Sequence, residues 1–109
     1  MKVYLDDLRP APDGWVRAHR VEETIDFLNT GEVTHLSLDF SLDCNKIGNP
    51  MATGYDVLSD IMDKLEANPA WEYPIMTVHS THPTGADYMR RSIAYIQRTY
   101  PRDVARNIV

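Results

Sequence analysis

Two stretches of the same form, Lys2-Val3-Tyr4-Leu5-Asp6-Asp7 and Thr34-His35-Leu36-Ser37-Leu38-Asp39, decide the fold. Each is a strand-length run that ends on acid. A third run, Pro74-Ile75-Met76-Thr77-Val78, leads into His79-Ser80 and is continuous enough to read as a buried central strand of a parallel sheet. Between the runs the spacing turns helical. Val21, Ile25 and Leu28 recur at helical intervals up to a stop at Gly31. Thr53 is an N-cap with Asp56 three residues on, and Val57, Leu58, Ile61, Met62 and Leu65 continue as an apolar stripe until Asn68-Pro69. Thr84 or Gly85 opens a further helix lined by Ala86, Met89, Ile93 and Ile96. Trp15 to His19 reads as a short strand, and the two prolines of Arg9-Pro10-Ala11-Pro12-Asp13-Gly14 exclude an ordinary helix before it. Strands alternating with helices predict a three-layer α/β fold with a mostly parallel sheet.

In such sheets ligands gather at the carboxyl ends of the strands. The unusual polar residues fall there: Asp6 and Asp7 after the first strand, Asp39 after the third, His79 and Ser80 after the fourth. Five chemically capable side chains are therefore expected at one edge of one small domain.

The chain of 109 residues supports a single domain, 1–109, with a modest core. A formal net charge of -5 disfavours non-specific adhesion to nucleic-acid backbone or anionic membrane, while leaving room for a local phosphate site. The charge is uneven. Residues 1–72 hold fourteen acids against six Lys and Arg, whereas residues 73–109 hold two acids against five arginines, Arg90, Arg91, Arg98, Arg102 and Arg106. Arg makes bidentate contacts to phosphate, and a solvated helix face accounts for the same residues. Cys44 is a single cysteine and forms no internal bridge. No signal-like or membrane-spanning apolar run occurs, so a reducing cytoplasm and no membrane partner are expected.

Carboxylates held together raise one another's pKa unless a cation compensates, so Asp6, Asp7 and Asp39 point to a hard metal such as Mg2+. A turn cap with an exposed neighbour explains an Asp-Asp pair equally well. His79 and His82 bracket Ser80 and Thr81, and imidazoles titrating near neutrality suit acid and base work on a phosphoester. Either is also a candidate metal ligand or a structural histidine. The helix opening at Thr84 to Asp87 offers free N–H groups to an anion, with Arg90 or Arg91 one turn further in.

Asp6-Asp7, Asp39 and Ser80 resemble, in order, the acidic pair, phosphoaccepting Asp and Ser/Thr of receiver (response-regulator) domains. The final-strand lysine of a receiver has no counterpart, because no lysine follows Lys64. Across nearly the whole chain, "VYLDDLRPAPDGW", "LSLDFSLD", "TGYDVL" and "VHSTHPTGADYM" look like the cyclic-phosphate processing receiver-like domain family. That resemblance implies a receiver-like (flavodoxin-like) fold with a short sheet and a loop in place of the first helix. It also implies a phosphoesterase acting on cyclic phosphates of nucleotides or RNA ends. Its site residues would be Asp6, Asp7 and Arg9 from the first motif, Asp39 from the second, and His79 with Ser80 from the third. In the mechanism expected from these residues, Asp6 or Asp7 holds Mg2+ with Asp39, and Arg9 clamps the phosphate with Ser80 and Arg90 in support. His79 activates water or protonates the leaving oxygen, with His82 a second proton carrier. A covalent aspartyl phosphate on Asp39 is a chemical alternative. Where family members commonly continue with His and Asp, this chain has Phe40 and Ser41, a substitution that favours a non-catalytic phosphate-binding or protein-interaction module as the rival class.

Overall fold

The computed structural model describes residues 1–40, 53–80 and 83–101. The elements run β1 (Lys2–Leu5), β2 (Val16–Ala18), α1 (Val21–Asn29), β3 (His35–Leu38), α2 (Gly54–Ala67), β4 (Ile75–Val78) and α3 (Pro83–Thr99). The strands form one parallel sheet in the order β2-β1-β3-β4. The expected α/β receiver-like architecture is what the chain adopts, and the sheet expected to be mostly parallel is parallel at every strand pair.

Handedness fixes the layers. From β2 to β3 and from β3 to β4 the chain advances in the same direction across the sheet, so right-handed crossovers place α1 and α2 on one face. Helix α3 packs beside α2 and against β4, completing a single row. The period of two along each strand then sorts the residues. Val3, Leu5, Ala18, Leu36, Leu38 and Met76 face the helices and are buried with Val57, Leu58, Ile61, Leu65, Met89 and Ile96. Lys2, Tyr4, Arg17, His35, Ser37, Ile75 and Thr77 face the other way. There the third layer is the loop over residues 9–15, whose Trp15 meets Tyr4 and His35 edge to face.

The helix boundaries follow the sequence signals. Thr53 and Asp56 close a reciprocal capping box on α2, and Gly31 ends the α1 turn at a positive φ of 77°. One expectation is corrected. β4 pairs with β3 alone among the described residues and lies last in the sheet, with Ile75 and Thr77 exposed, so it is an edge strand and not a buried central one. An apolar run reports side-chain burial by the helices; it does not count neighbouring strands. The expected single domain extends past the last described residue, and His82, Thr81, Ser41, Cys44, Arg102 and Arg106 lie outside the described residues.

A tight approach ties the helical layer to the strand ends. A Cβ built on Gly54 would fall 2.1 Å from the carbonyl oxygen of Asp39, so glycine is the residue that lets the first turn of α2 close onto β3. Gly54→Ala is expected to destabilise the protein by about 1–3 kcal/mol in urea unfolding and to displace Asp39. Unchanged stability would show that this approach is not enforced.

Candidate functional site

The ladder continues one residue beyond each strand. The amide of Asp6 donates to the carbonyl of Ala18 at 3.0 Å, that of Asp39 to Leu5 at 3.2 Å and that of His79 to Leu38 at 3.0 Å. Each receiving carbonyl belongs to the last residue of the adjacent strand. Asp6, Asp39 and His79 thus stand side by side across the sheet, and each shares the strand parity of the helix-free face. One ligand atom from each of the three can be chosen so that all lie within 4.8 Å of one another.

Asp6 is the centre of this group. Its side chain is 1 % exposed. Oδ1 accepts the backbone N–H of Leu8 at 2.8 Å and of Arg9 at 2.9 Å, an Asx turn that folds the chain back immediately after β1. Oδ2 meets His79 Nε2 at 3.2 Å. Burial works to raise the Asp6 pKa. The N–H groups of Arg9 and Leu8, with the His79 hydrogen bond and charge, more than offset it and hold the carboxyl below its ordinary value. Asp6 is therefore the ionised partner, so the proton of neutral His79 sits on Nε2 and Nδ1 accepts the Ser37 hydroxyl at 2.7 Å. The imidazole also stacks on Tyr4, with centroids 4.0 Å apart and planes 8° from parallel.

At the other two titrating groups burial decides the direction. Burial holds the Asp39 carboxyl above its ordinary range; its Ser80 hydrogen bond pulls down and the neighbouring Asp6 charge adds to the rise. Burial lowers His79, against the attraction of Asp39 and Asp6. Arg9, whose side chain is about half exposed, reaches over the group: Nη1 donates to the His79 carbonyl at 3.2 Å and Nε lies 3.9 Å from Asp6 Oδ2. The arrangement combines a proton carrier held on both ring nitrogens, two carboxylates of unequal basicity and a guanidinium at the rim.

The structure brings together Asp6, Asp39, His79, Ser80 and Arg9 of the residues expected from the sequence. Asp7 is half-buried but is not among the three whose ligand atoms converge; His79 is the third. Arg90 lines a separate cavity with Thr77, Ile93 and Gln97 beside the outer edge of β4, and among the described residues it makes no hydrogen bond or ion pair with Asp6, Asp39 or His79. Two partners of His79 escaped the sequence reading. Ser37 and Tyr4 are mid-strand positions that pair across β1 and β3, and their one signal is their strand parity with Asp39 and Asp6. Phe40, next to Asp39, has the opposite parity, and a Cβ on Gly85 would come 2.3 Å from its ring, so Phe40 wedges under the first turn of α3.

A parallel sheet of receiver type with its acidic and imidazole groups gathered beyond the strand ends defines a receiver-like domain. The model of the cyclic-phosphate processing receiver domain family matches residues 1–95, and the chain belongs to that family. No curated protein and no solved structure matches it. Among the described residues no helix is long and apolar enough to cross a membrane.

The Asp6 geometry predicts acid sensitivity with a definite sign. A carboxyl whose folded pKa lies below its ordinary 3.8 contributes stability that is complete above 3.8 and is lost as pH falls through the folded value. His79, lowered from 6.5, adds a loss as pH falls below 6.5, because the unfolded chain then binds the proton more readily. Asp6→Ala leaves two N–H donors and an imidazole unpaired and is expected to cost about 3 kcal/mol at pH 7 in urea titration. The same variant should lack the acid limb below 3.8. An undiminished limb would assign it to other carboxylates.

Proposed function

We propose that this domain is a phosphoesterase that opens a cyclic phosphate on a nucleotide or an RNA end. The observation that carries the reading is the shared position of Asp6, Asp39, His79 and Arg9 beyond three strands of a family member of the cyclic-phosphate processing class. Arg9 draws in the anion and Ser80 orients it by hydrogen bond. The carboxylate of Asp39, the more basic of the two, takes the proton of the attacking water. As the P–O bond to the new oxygen forms and the bond to the ribose oxygen breaks, His79, brought to its imidazolium form by the bound phosphate anion, delivers its Nε2 proton to the leaving oxygen. Ser37 serves both forms of that ring, since its hydroxyl donates to Nδ1 of the neutral form and accepts from Nδ1–H of the cation. Tyr4 and Ser37 hold the imidazole in place from face and edge.

Asp6 and Asp39 are a chemically suitable pair for a hard divalent cation such as Mg2+, because their mutual repulsion is one of the causes that raise Asp39. Such a cation, when bound, supplies charge neutralisation at the phosphoryl oxygens. His82 remains a candidate second proton carrier, whereas Arg90, in its separate cavity beside β4, is not part of the strand-end group. A cytoplasmic location fits a chain with one cysteine.

One observation favours the rival class. Both ring nitrogens of His79 already have partners, as in a locked structural histidine, and a binding module would need no free one. Turnover separates the two. His79→Ala is expected to lower kcat for 2′,3′-cyclic or 3′,5′-cyclic nucleotides by about 10²-fold or more while ligand affinity in calorimetry stays within a few-fold. A protein that binds the cyclic nucleotide and returns it unchanged is the module.

A further inference from the structure

The helix-free face of the sheet runs directly down from the site, and its side chains are of one chemical kind. His79 lies flat on Tyr4, Tyr4 meets Trp15 at 6.2 Å, and Trp15 meets His35 at 6.3 Å, both edge to face. Lys2 Nζ stands 5.8 Å from the Trp15 ring centroid, and Arg17 Nε donates to the Asp6 carbonyl at 3.0 Å. Beside this ladder β3 and β4 present Ser37, Ile75 and Thr77, with Ile75 49 % exposed. Lys2, Arg17 and, at the upper rim, Arg9 are cations; the acids of matching strand parity are Asp6 and Asp39 of the site itself.

We propose that this face is a platform for single-stranded RNA. The cyclic phosphate at the site is then the 3′ end of a strand whose preceding bases stack along Tyr4 and Trp15. The proposal rests on the cyclic-phosphate reading of the site and names its substrate class. Three things on the face favour RNA over a protein partner. Aromatic rings on a sheet face that no helix covers, with cations interleaved, are the means by which sheet surfaces hold single strands, since every base has a face to stack. The cations complement a phosphate backbone. The ladder also outruns a mononucleotide: Trp15 packs against Lys2 and His35, and His35 lies four residues below Asp39, or about 13 Å at the strand rise. The terminal base ends at the His79–Tyr4 stack, and Trp15 is left for the next one.

Trp15 reports on its own occupancy once Trp71 is replaced by Phe. The probes are a 2′,3′-cyclic mononucleotide and a trinucleotide with the same cyclic end, followed by fluorescence and by chromatography of the product. The trinucleotide is expected to quench Trp15 and to bind about ten-fold tighter than the mononucleotide, with an affinity that falls as salt rises. Trp15→Ala should bring that ratio close to one, and Trp15→Phe should restore most of it. Equal affinities, absent quenching, or a ratio insensitive to Trp15→Ala overturns the platform. Turnover of the mononucleotide in that case leaves the phosphoesterase reading intact. Quenching and tight binding of the trinucleotide without any product supports the platform and removes the esterase. A dimer in sedimentation that Ile75→Lys dissociates gives the face to a second copy and overturns the proposal.

Discussion

The buried carboxylate of Asp6 is the contact on which the rest depends. It accepts the backbone of Leu8 and Arg9 and the imidazole of His79, and so joins the end of the first strand, the following loop and the end of the fourth strand in one polar knot. An ionised group that is 1 % exposed is tolerated only when its lone pairs are occupied, and here three donors occupy them. The same three contacts aim Arg9 over the site, fix which nitrogen of His79 carries the proton, and stop the chain from forming a helix after β1. Structure and chemistry share one residue.

The remaining geometry follows from the sheet. Asp6, Asp39 and His79 each stand one step past a strand, with the amide on the neighbouring strand's last carbonyl. Parallel strands in register then deliver Asp6, Asp39 and His79 to the same height, and strand parity delivers them to the same face. The helices lie on the opposite face, which leaves the site open toward Tyr4 and Trp15. Gly54 and Gly85 are the points at which the helical layer closes onto Asp39 and Phe40.

Much of this was legible in the sequence, for a physical reason. Acids and a histidine placed just after apolar runs mark strand ends, and right-handed connections put those ends together, so Asp6, Asp39, His79 and Ser80 needed no coordinates to be grouped. Proline in the loop after Asp7 told that no helix stands there. What stayed illegible depends on neighbours that a linear pattern does not name. β4 reads as central because its apolar run is intact, yet its burial comes from the helical face alone, where α3 packs on it. Ser37 looks like the polar half of an alternating strand, and nothing in Leu36-Ser37-Leu38 tells that an imidazole from forty-two residues away will cover it. Asp7 looks equivalent to Asp6, and only the Asx turn distinguishes the residue that faces the site.

Phosphorus NMR of a 2′,3′-cyclic phosphate ester incubated with the folded protein tests the central claim most directly, because it observes the bond that the strand-end group is held to break. The account predicts that the cyclic resonance gives way to a phosphomonoester resonance with wild-type protein and persists with Asp39→Ala. A spectrum unchanged by wild-type protein, for both the mononucleotide and the RNA end, would contradict it.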